Sequence, residues 1–176
     1  MKKLKLKGGK SNPDEGKKIA IIKEQIKEAE DFAELAEKAI AGGVKQFIYA
    51  SSGSVYGIKE ELDVTEDLSL VPLSVYNKTK MTAERVLLSY SKFMKTHIIR
   101  PATVCGYSSR LRLDVSVNML TYQALKYKKI TVLGGKQIRP NLHIQDMIRI
   151  YYHFLKNKNI SLLVIVCNNE NIKRIR

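Results

Sequence analysis

Residues 44 to 57 read VKQFIYASSGSVYG, an apolar, β-rich run that ends at a cluster of serine and glycine. Before this run, apolar residues recur every three or four positions from 19 to 41, which predicts an amphipathic helix. Gly42 and Gly43 follow and are typical of a helix C-terminus, where the chain leaves through a positive φ. A helix, a glycine stop, an apolar strand and a polar turn together predict an α/β fold with a parallel sheet.

The rest of the chain continues this alternation of helices and strands. Residues 57 to 73 contain charged residues and Pro72 and show no sustained hydrophobic period, which predicts a loop. Ser74 is suited to cap the helix that follows and runs to about residue 94. The further predicted elements are strands at 96–100, 130–133 and 160–167, and helices at 116–128 and 146–156.

The composition is that of a globular protein with a strong positive charge. Of 176 residues, 44% are hydrophobic and 27% are charged, and 31 Lys and Arg against 17 Asp and Glu give a net charge of +14. This excess suggests an anionic partner, either nucleic acid, a membrane surface or a phosphorylated small molecule. Because both ends of the chain are rich in basic residues, we favour solvated basic tails over a charged binding surface.

Cys105 and Cys167 have neither metal-ligand spacing nor the pattern of a disulfide framework. Free thiols fit a reducing compartment, so we expect a cytoplasmic protein. No apolar stretch follows the basic residues 1–18, which therefore do not resemble a secretory signal. The longest apolar run, at 160–167, is too short to span a bilayer, so we expect no membrane partner. Because the cysteines lack metal-ligand spacing, we also expect no metal site.

The strongest chemical signal is the pair Tyr76 and Lys80, in the sequence YNKTK at 76–80. Positions i and i+4 of a helix share a face, so the phenol and the ammonium are predicted to project side by side. An ammonium next to a phenol favours the phenolate, which makes a tyrosine usable as a general acid or base. By itself the Tyr-x-x-x-Lys spacing is weak, because it occurs often by chance on helix surfaces.

The polar turn after the strand supplies a second candidate group. In open α/β sheets, ligands bind outside the carboxyl ends of the strands, and Ser52 falls at that position. Its hydroxyl can hydrogen-bond a substrate oxygen and share the proton that Tyr76 moves. The alternative is a Ser/Gly turn without chemistry, and the segment alone does not decide between the two.

Four segments in order resemble the motifs of a known family. They are ASSGSVYG at 50–57, YNKTK at 76–80, IIRPATVCG at 98–106 and RPNLHIQD at 139–146. Together they resemble the extended short-chain dehydrogenase/reductase family, whose members include nucleotide-sugar 4-epimerases and 4,6-dehydratases. The resemblance covers about residues 35 to 156. It implies a partial Rossmann-like parallel sheet with flanking helices and part of a small C-terminal substrate-binding region.

The resemblance also implies roles for individual residues. Ser52, Tyr76 and Lys80 are implied as catalytic, and Tyr76 and Lys80 also as contacts to the nicotinamide ribose of NAD. Ser52, Asn118 and Arg139 are implied as contacts to the nucleotide-sugar substrate, and a guanidinium is suited to grip its diphosphate. The structural alternatives are a helix-start cap for Asn118 and a surface charge for Arg139.

Two further positions of these motifs bear on the site. His143 lies in a short apolar segment, and we favour a buried structural histidine over a catalytic one. Thr103 stands where many members of the family have asparagine, so the substrate contact at that position departs from the family pattern.

The family's glycine-rich NAD-binding turn, Gly-x-x-Gly-x-x-Gly, is not found in this sequence. Gly8 and Gly9 follow a lysine-rich start, but residues 13–15, Pro-Asp-Glu, stand where a helix N-terminus would meet the pyrophosphate. No acid for the adenosine ribose can be assigned, and 160–176 does not resemble the family's further substrate-binding elements. We therefore expect a truncated chain that lacks the main cofactor motif.

These features predict four segments: a basic N-terminal tail at 1–18, the C-terminal half of a Rossmann-like domain with the Ser/Tyr/Lys site at 19–107, a partial substrate-binding region at 108–156, and a strand with a basic tail at 157–176. The favoured function is that of an NAD-dependent epimerase or dehydratase acting on a nucleotide sugar through 4-keto chemistry. The alternative is a catalytically inactive remnant of the fold that serves as a binding or interaction module. Nucleic-acid binding is favoured only by the charge, and we do not expect it, because no recognised nucleic-acid motif or aromatic-interleaved basic patch is present. The expected partners are a nucleotide-sugar substrate and either a second copy of the chain or a complementing N-terminal half.

Overall fold

The computed structural model describes residues 13–61, 64–136, 138–157, 160 and 164–167 of the chain. Within these residues, helices and strands alternate as the sequence predicts for an α/β fold. In chain order the elements are α1 (Pro13–Ala41), β1 (Gln46–Ala50), a short 3-10 helix (Gly53–Tyr56), α2 (Val75–Ser89), β2 (Lys95–Pro101), β3 (Thr103–Cys105), α3 (Ser116–Tyr127), β4 (Asn141–His143), α4 (Ile144–Lys156) and β5 (Val164–Cys167).

The main sheet is parallel and has the strand order β1-β2-β5. Ala50 of β1 pairs with Ile99 of β2, and Ile98 of β2 pairs with Val164 of β5. β3 and β4 form a second parallel pair. Parallel neighbours need a crossover connection, and α2 lies in the one between β1 and β2. The prediction of an α/β fold with a parallel sheet is confirmed.

Helices cover both faces of the main sheet, because successive side chains of a strand point to opposite faces. Ile98 packs on the side of α1 and α2, whereas Ile99 packs on the side of α4, and both are fully buried. The first cluster contains Ala36, Tyr49, Ala83, Leu87 and Ile98, and the second contains Ile99, Leu142, Met147, Ile150 and Phe154. This packing holds the end of β1, where the Ser/Gly turn begins, against the helical layers.

The helix predicted before β1 is confirmed, but it begins earlier than residue 19. α1 begins at Pro13, and proline is favourable in the first turn of a helix because its φ is fixed and it has no N–H to leave unpaired. At the other end Gly43 has a φ of 77°, the left-handed conformation that the glycine pair predicted. Residues 13–18 are therefore helical.

The helix predicted after Ser74 begins as expected and ends earlier than residue 94. Ser74 is the N-cap, and its Oγ accepts a hydrogen bond of 3.1 Å from Asn77 N. α2 ends at Ser89, because the N–H of Tyr90 bonds to Leu87 O, only three residues back, and the chain then turns towards β2.

The prediction of a strand at 130–133 is wrong, whereas α3, α4 and the described part of the loop at 57–73 agree with prediction. In the described part of the chain this run has no strand partner, and Ile130, Val132 and Leu133 are exposed. An apolar run forms a strand only where a neighbouring strand satisfies its backbone groups. The short strands β3 and β4 were not predicted, because three residues carry no readable alternation.

Some predictions concern residues outside the described ranges. These are the lysine-rich start with Gly8 and Gly9 and the basic end at 168–176. Of the strand predicted at 160–167, β5 forms the last part, and 161–163 lie outside the described residues. No described helix combines the length and the apolar character that crossing a membrane requires.

Candidate active site

Tyr76 and Lys80 lie on one face of α2, as the Tyr-x-x-x-Lys spacing predicted. Lys80 Nζ stands 5.7 Å from the centroid of the Tyr76 ring. Tyr76 is 56% exposed, so its phenol is open to a ligand. An accessible phenol with a positive charge beside it is an arrangement suited to acid–base chemistry.

Lys80 is tied to the end of β1. Its Nζ donates a hydrogen bond of 3.0 Å to Ala50 O and lies 4.9 Å from the centroid of the Tyr49 ring. Burial lowers the pKa of Lys80, and the charge of Glu28 on α1 acts against that shift. Groups from α1, β1 and α2 therefore surround this ammonium.

Ser52 follows the carboxyl end of β1 and caps the 3-10 helix, since its Oγ accepts a hydrogen bond of 3.2 Å from Ser54 N. The hydroxyls of Ser52 and Ser54 are 2.7 Å apart, and Ser54 Oγ donates to Asn77 Oδ1 at 2.6 Å. Asn77 follows Tyr76 on α2, so a chain of hydrogen bonds joins Ser52 to the helix that carries the Tyr–Lys pair. Sequence reasoning missed Ser54 and Asn77, although their places in the Ser/Gly cluster and directly after Tyr76 were a signal.

A buried ion pair, which sequence reasoning also missed, lies one turn beyond Lys80 on α2. Glu84 Oε2 is 2.6 Å from Arg100 Nη2, and the two side chains are 1% and 6% exposed. Glu84 Oε1 also accepts a hydrogen bond from Ser51 Oγ, and Arg100 Nη1 donates to Tyr56 Oη at 2.6 Å. The signal was a glutamate inside an apolar helix stripe and an arginine inside a buried strand, because such groups are buried only when paired.

The surroundings of Arg100 and Tyr56 shift the pKa of both groups. Burial acts to lower the pKa of Arg100, but hydrogen bonds to Glu84 and its charge outweigh burial, and the pKa is raised. Burial raises the pKa of Tyr56, with the hydrogen bond from Arg100 acting against it. Arg100 is therefore a permanent cation, and the neutral phenol of Tyr56 accepts its hydrogen bond.

Asn118 lies in the first turn of α3 and organises the loop before that helix. Its Oδ1 accepts a hydrogen bond of 3.0 Å from Gly106 N, and its Nδ2 donates one of 3.0 Å to Arg112 O. It is not the helix-start cap, because that position is Val115, which makes no side-chain cap bond. An amide nitrogen carries two protons, so the predicted contact to a diphosphate is possible without loss of either bond.

The same loop carries the ion pair of Arg112 and Asp114. Arg112 is exposed and forms a forked pair with Asp114, at 3.0 Å from Nε and 2.5 Å from Nη2. Hydrogen bonding to Asp114 and its charge raise the pKa of Arg112, and Tyr76 contributes in the same direction. No described hydrogen bond or ion pair joins Arg112 to Tyr76 or Lys80.

Arg139 stands shortly before β4 and is exposed, and its backbone oxygen accepts a hydrogen bond of 3.0 Å from Asn141 Nδ2. Among the described residues, no carboxylate forms an ion pair with its guanidinium. The guanidinium is therefore accessible to an anionic ligand. No described hydrogen bond or ion pair joins Arg139 to Tyr76 or Lys80.

The interpretation of His143 as a buried histidine is wrong. Leu142 points inward from β4 and is fully buried, so the alternation of the strand turns His143 outward. Its Nδ1 accepts a hydrogen bond of 3.3 Å from Gln145 N and caps α4. The ring also lies against Gly106, which has a φ of 112° and where a Cβ would come within 2.8 Å of His143 Nε2. The role of His143 is structural, but at the surface.

A second Tyr-x-x-x-Lys pair lies on α3. Lys126 Nζ donates a hydrogen bond of 2.6 Å to Tyr122 Oη. Both groups are exposed on a helix that buries none of its residues. The spacing therefore recurs on a helix surface, and what distinguishes Tyr76 and Lys80 is their place against the end of β1.

The site combines a phenol, an ammonium and hydroxyls at the end of a parallel strand. Tyr76 and Lys80, the predicted cofactor contacts, lie together at this strand end, and the guanidinium of Arg139 is exposed. In the part of the chain that the structure describes, no three His, Cys, Asp or Glu side chains converge as metal ligands. These groups can perform proton transfer and bind anions.

A parallel α/β sheet with a Tyr–Lys pair near a serine at a strand end fits the short-chain dehydrogenase/reductase family that the four motifs resemble. The model of the NAD dependent epimerase/dehydratase family matches residues 11–164. The chain belongs to this family, and the resemblance inferred from its four motifs is confirmed.

The relatives of this chain are longer proteins. The uncharacterized UDP-glucose epimerase YtcB of Bacillus subtilis (strain 168) is 34% identical over 116 residues, which are 65% of this chain and 36% of that protein. The structure of UDP-glucuronic acid 4-epimerase from Bacillus cereus in complex with UDP-glucuronic acid and NAD has a TM-score of 0.68 at 32% identity, covering 80% of this chain and 45% of that one. The NAD-dependent NDP-hexosamine 5,6-dehydratase TunA, with a TM-score of 0.72 at 24% identity, shares the fold and covers 93% of this chain and 53% of that one. The chain spans about half the length, or less, of these relatives.

Proposed function

We propose that this chain carries the acid–base groups of an enzyme that acts on a UDP-sugar through a 4-keto intermediate. The observation that best supports the proposal is the accessible Tyr76 beside Lys80, whose ammonium is hydrogen-bonded to Ala50 at the end of β1, two residues before Ser52. The names of the relatives favour a UDP-sugar as substrate and epimerisation as the reaction.

Each residue of the site has a separate task in the proposed reaction. Tyr76 takes the proton of a sugar hydroxyl as general base and later returns it. The ammonium of Lys80 supplies the positive charge that a phenolate requires, and its hydrogen bond to Ala50 O keeps it in place. Ser52 binds a substrate oxygen, and its link through Ser54 limits its motion.

NAD is the cofactor of the family, and the described residues fit one end of it. Lys80 Nζ has three protons, of which the hydrogen bond to Ala50 O uses one, so donors remain for the hydroxyls of the nicotinamide ribose. Tyr76 and Lys80 would hold that ribose next to the substrate. When bound, NAD supplies the acceptor and donor of a hydride.

The 176-residue chain is expected to show no measurable rise in melting temperature with millimolar NAD. Tyr76 and Lys80 contact only the nicotinamide ribose, and two such contacts do not offset the several kcal/mol of translational and rotational freedom lost on association. A thermal melt with and without NAD is the measurement. A rise of several degrees would contradict this expectation and assign a cofactor site to residues 1–40.

Replacing Arg139 with alanine is expected to weaken the binding of a UDP-sugar by about one to two decades in Kd, since a charged hydrogen bond contributes about 1.5–3 kcal/mol. Calorimetric titration of UDP-sugars and GDP-sugars into both proteins measures the effect. Arg149→Ala is the matched control, because Arg149 is an exposed arginine paired with Asp146 on α4. Equal affinities of wild type and Arg139→Ala for the UDP-sugar would show that Arg139 is a surface charge without a role in binding.

The edge of the main sheet favours a second candidate function, that of an inactive interaction module. Among the described residues β1 has a hydrogen-bonded strand neighbour on one side only, and such an edge can accept a strand from another polypeptide. We propose a second copy of the chain or a complementing N-terminal half as the partner, in the cytoplasm, where the free thiol of Cys105 stays reduced. Self-association without UDP-sugar binding would favour the module over the enzyme.

A further inference from the structure

The carboxylate of Glu84 joins α2 to the ends of two strands. It is buried one turn beyond Lys80, and it accepts hydrogen bonds from Ser51 Oγ after β1 and from Arg100 of β2, whose Nε and Nη2 lie at 3.0 Å and 2.6 Å. A buried carboxylate is costly unless its lone pairs are satisfied, and these three donors satisfy them.

The same face of α2 holds the turn at 50–54 at two further points. Asn77, Lys80 and Glu84 follow one another at spacings of three and four, so they form one stripe. Their hydrogen bonds go to Ser54, to the backbone of residue 50 and to the hydroxyl of residue 51, respectively. Residues 52 and 53 lie between these fixed points, and the first of them is the predicted catalytic serine.

We infer that Glu84 is a positioning residue for Lys80 and Ser52. By holding Ser51 and Arg100, it keeps the end of β1 and the inner face of α2 at a fixed spacing. The inference rests on the proposed function, because the groups that it positions are those of the proposed site.

A double replacement separates this positioning from stability. A buried ion pair can often be replaced by apolar side chains of similar volume without loss of stability, so Glu84→Leu with Arg100→Met is expected to fold. The leucine cannot accept the hydrogen bond of Ser51. The double variant therefore keeps the packing of the core and loses the hold on the end of β1.

The pKa of Lys80 is a measure of how closely the end of β1 packs against α2. Its ammonium lies over the Tyr49 ring from β1 and the Tyr76 ring from its own helix, and the charge of Glu28 on α1 acts on it. Burial is the larger cause of its lowered pKa, with Glu28 opposing it. Because the double variant removes one positive and one negative charge together, a change in the pKa of Lys80 reflects the closeness of β1 rather than a change in net charge.

The experiment is an NMR titration of the Lys80 side chain in the 176-residue chain, with the signal assigned by Lys80→Arg, together with thermal melts. In the double variant the pKa of Lys80 is expected to rise towards its ordinary value, while the melting temperature falls less than in Arg100→Met alone, because no buried carboxylate is left unpaired. Removal of the exposed pair on α4 by Asp146→Asn with Arg149→Met is the control and is expected to change neither quantity.

An unchanged pKa of Lys80 in the folded double variant would overturn the inference. If that variant does not fold, Ser51→Ala decides, since it removes a single hydrogen bond: a rise in the pKa of Lys80 supports the inference and an unchanged value overturns it. The titration needs neither substrate nor turnover. The two tests can therefore be told apart. If the pKa of Lys80 shifts as expected but the activity of the protein does not depend on Tyr76, the proposed function is overturned and the positioning role of Glu84 remains.

Discussion

Replacing Tyr76 with phenylalanine is expected to lower turnover about 10²–10⁴-fold, the range typical of a general acid–base group. The substitution removes only the hydroxyl, and because Tyr76 is 56% exposed, the fold should be unaffected. The measurement is the conversion of a UDP-sugar in the presence of NAD by the chain, alone or with a supplied N-terminal half. The melting temperature of the variant should equal that of wild type.

The chain provides its own control for this prediction. Tyr122→Phe removes the hydroxyl of the other Tyr-x-x-x-Lys pair, in which Lys126 donates directly to the phenol. This pair lies on the exposed surface of α3, so turnover should not change. Unchanged turnover in Tyr76→Phe would contradict the whole acid–base mechanism. An equal loss of turnover in Tyr76→Phe and Tyr122→Phe would show that the effect is not specific to the site.

Replacing Arg100 alone with methionine is expected to destabilise the protein by about 3–5 kcal/mol, because it leaves the buried carboxylate of Glu84 without its counter-charge. For a chain of this size the melting temperature should fall by about 6–20 °C. Tyr56 also loses the donor to its hydroxyl, which adds to the cost. Urea and thermal unfolding measure the free energy of unfolding.

The matched control is Arg149→Met, which breaks an ion pair with Asp146 at the surface of α4. Exposed pairs of this kind contribute about 0–1 kcal/mol, so the free energy of unfolding should change by no more than that. If Arg100→Met were as mild as Arg149→Met, the Glu84 carboxylate would have to be solvated, contrary to its burial in the structure.

Much of the fold and part of the site were predictable, because they depend on patterns within a few residues of each other. The 3.6-residue turn of a helix places Tyr76 and Lys80 on one face wherever a helix forms. The apolar run before Ser52 and the glycines at 42 and 43 likewise mark a strand and a helix end through local conformational preference. These patterns determined the parallel α/β class, the order of the helices and the resemblance to the family.

Local patterns failed where pairing partners are distant along the chain. Glu84 and Arg100 are 16 residues apart and Glu84 and Ser51 are 33 apart, so their contacts depend on the crossover that brings α2 over β1 and β2. The apolar run at 130–133 had the composition of a strand, but in the described part of the chain no neighbouring strand lies beside it. His143 was assigned to the core from its apolar neighbours, whereas the register of β4 turns it outward.

The two Tyr-x-x-x-Lys pairs show where the division between sequence and tertiary structure falls. The sequence by itself determined that each tyrosine lies beside its lysine, because both pairs obey the same helical spacing. Only the tertiary structure decided which pair is a candidate site, because α2 packs on the sheet and brings Lys80 to within 3.0 Å of Ala50 O, while α3 leaves Tyr122 and Lys126 at the surface. Helical period is a property of neighbouring residues, whereas proximity to a strand end is produced by the packing of elements that are distant in the chain.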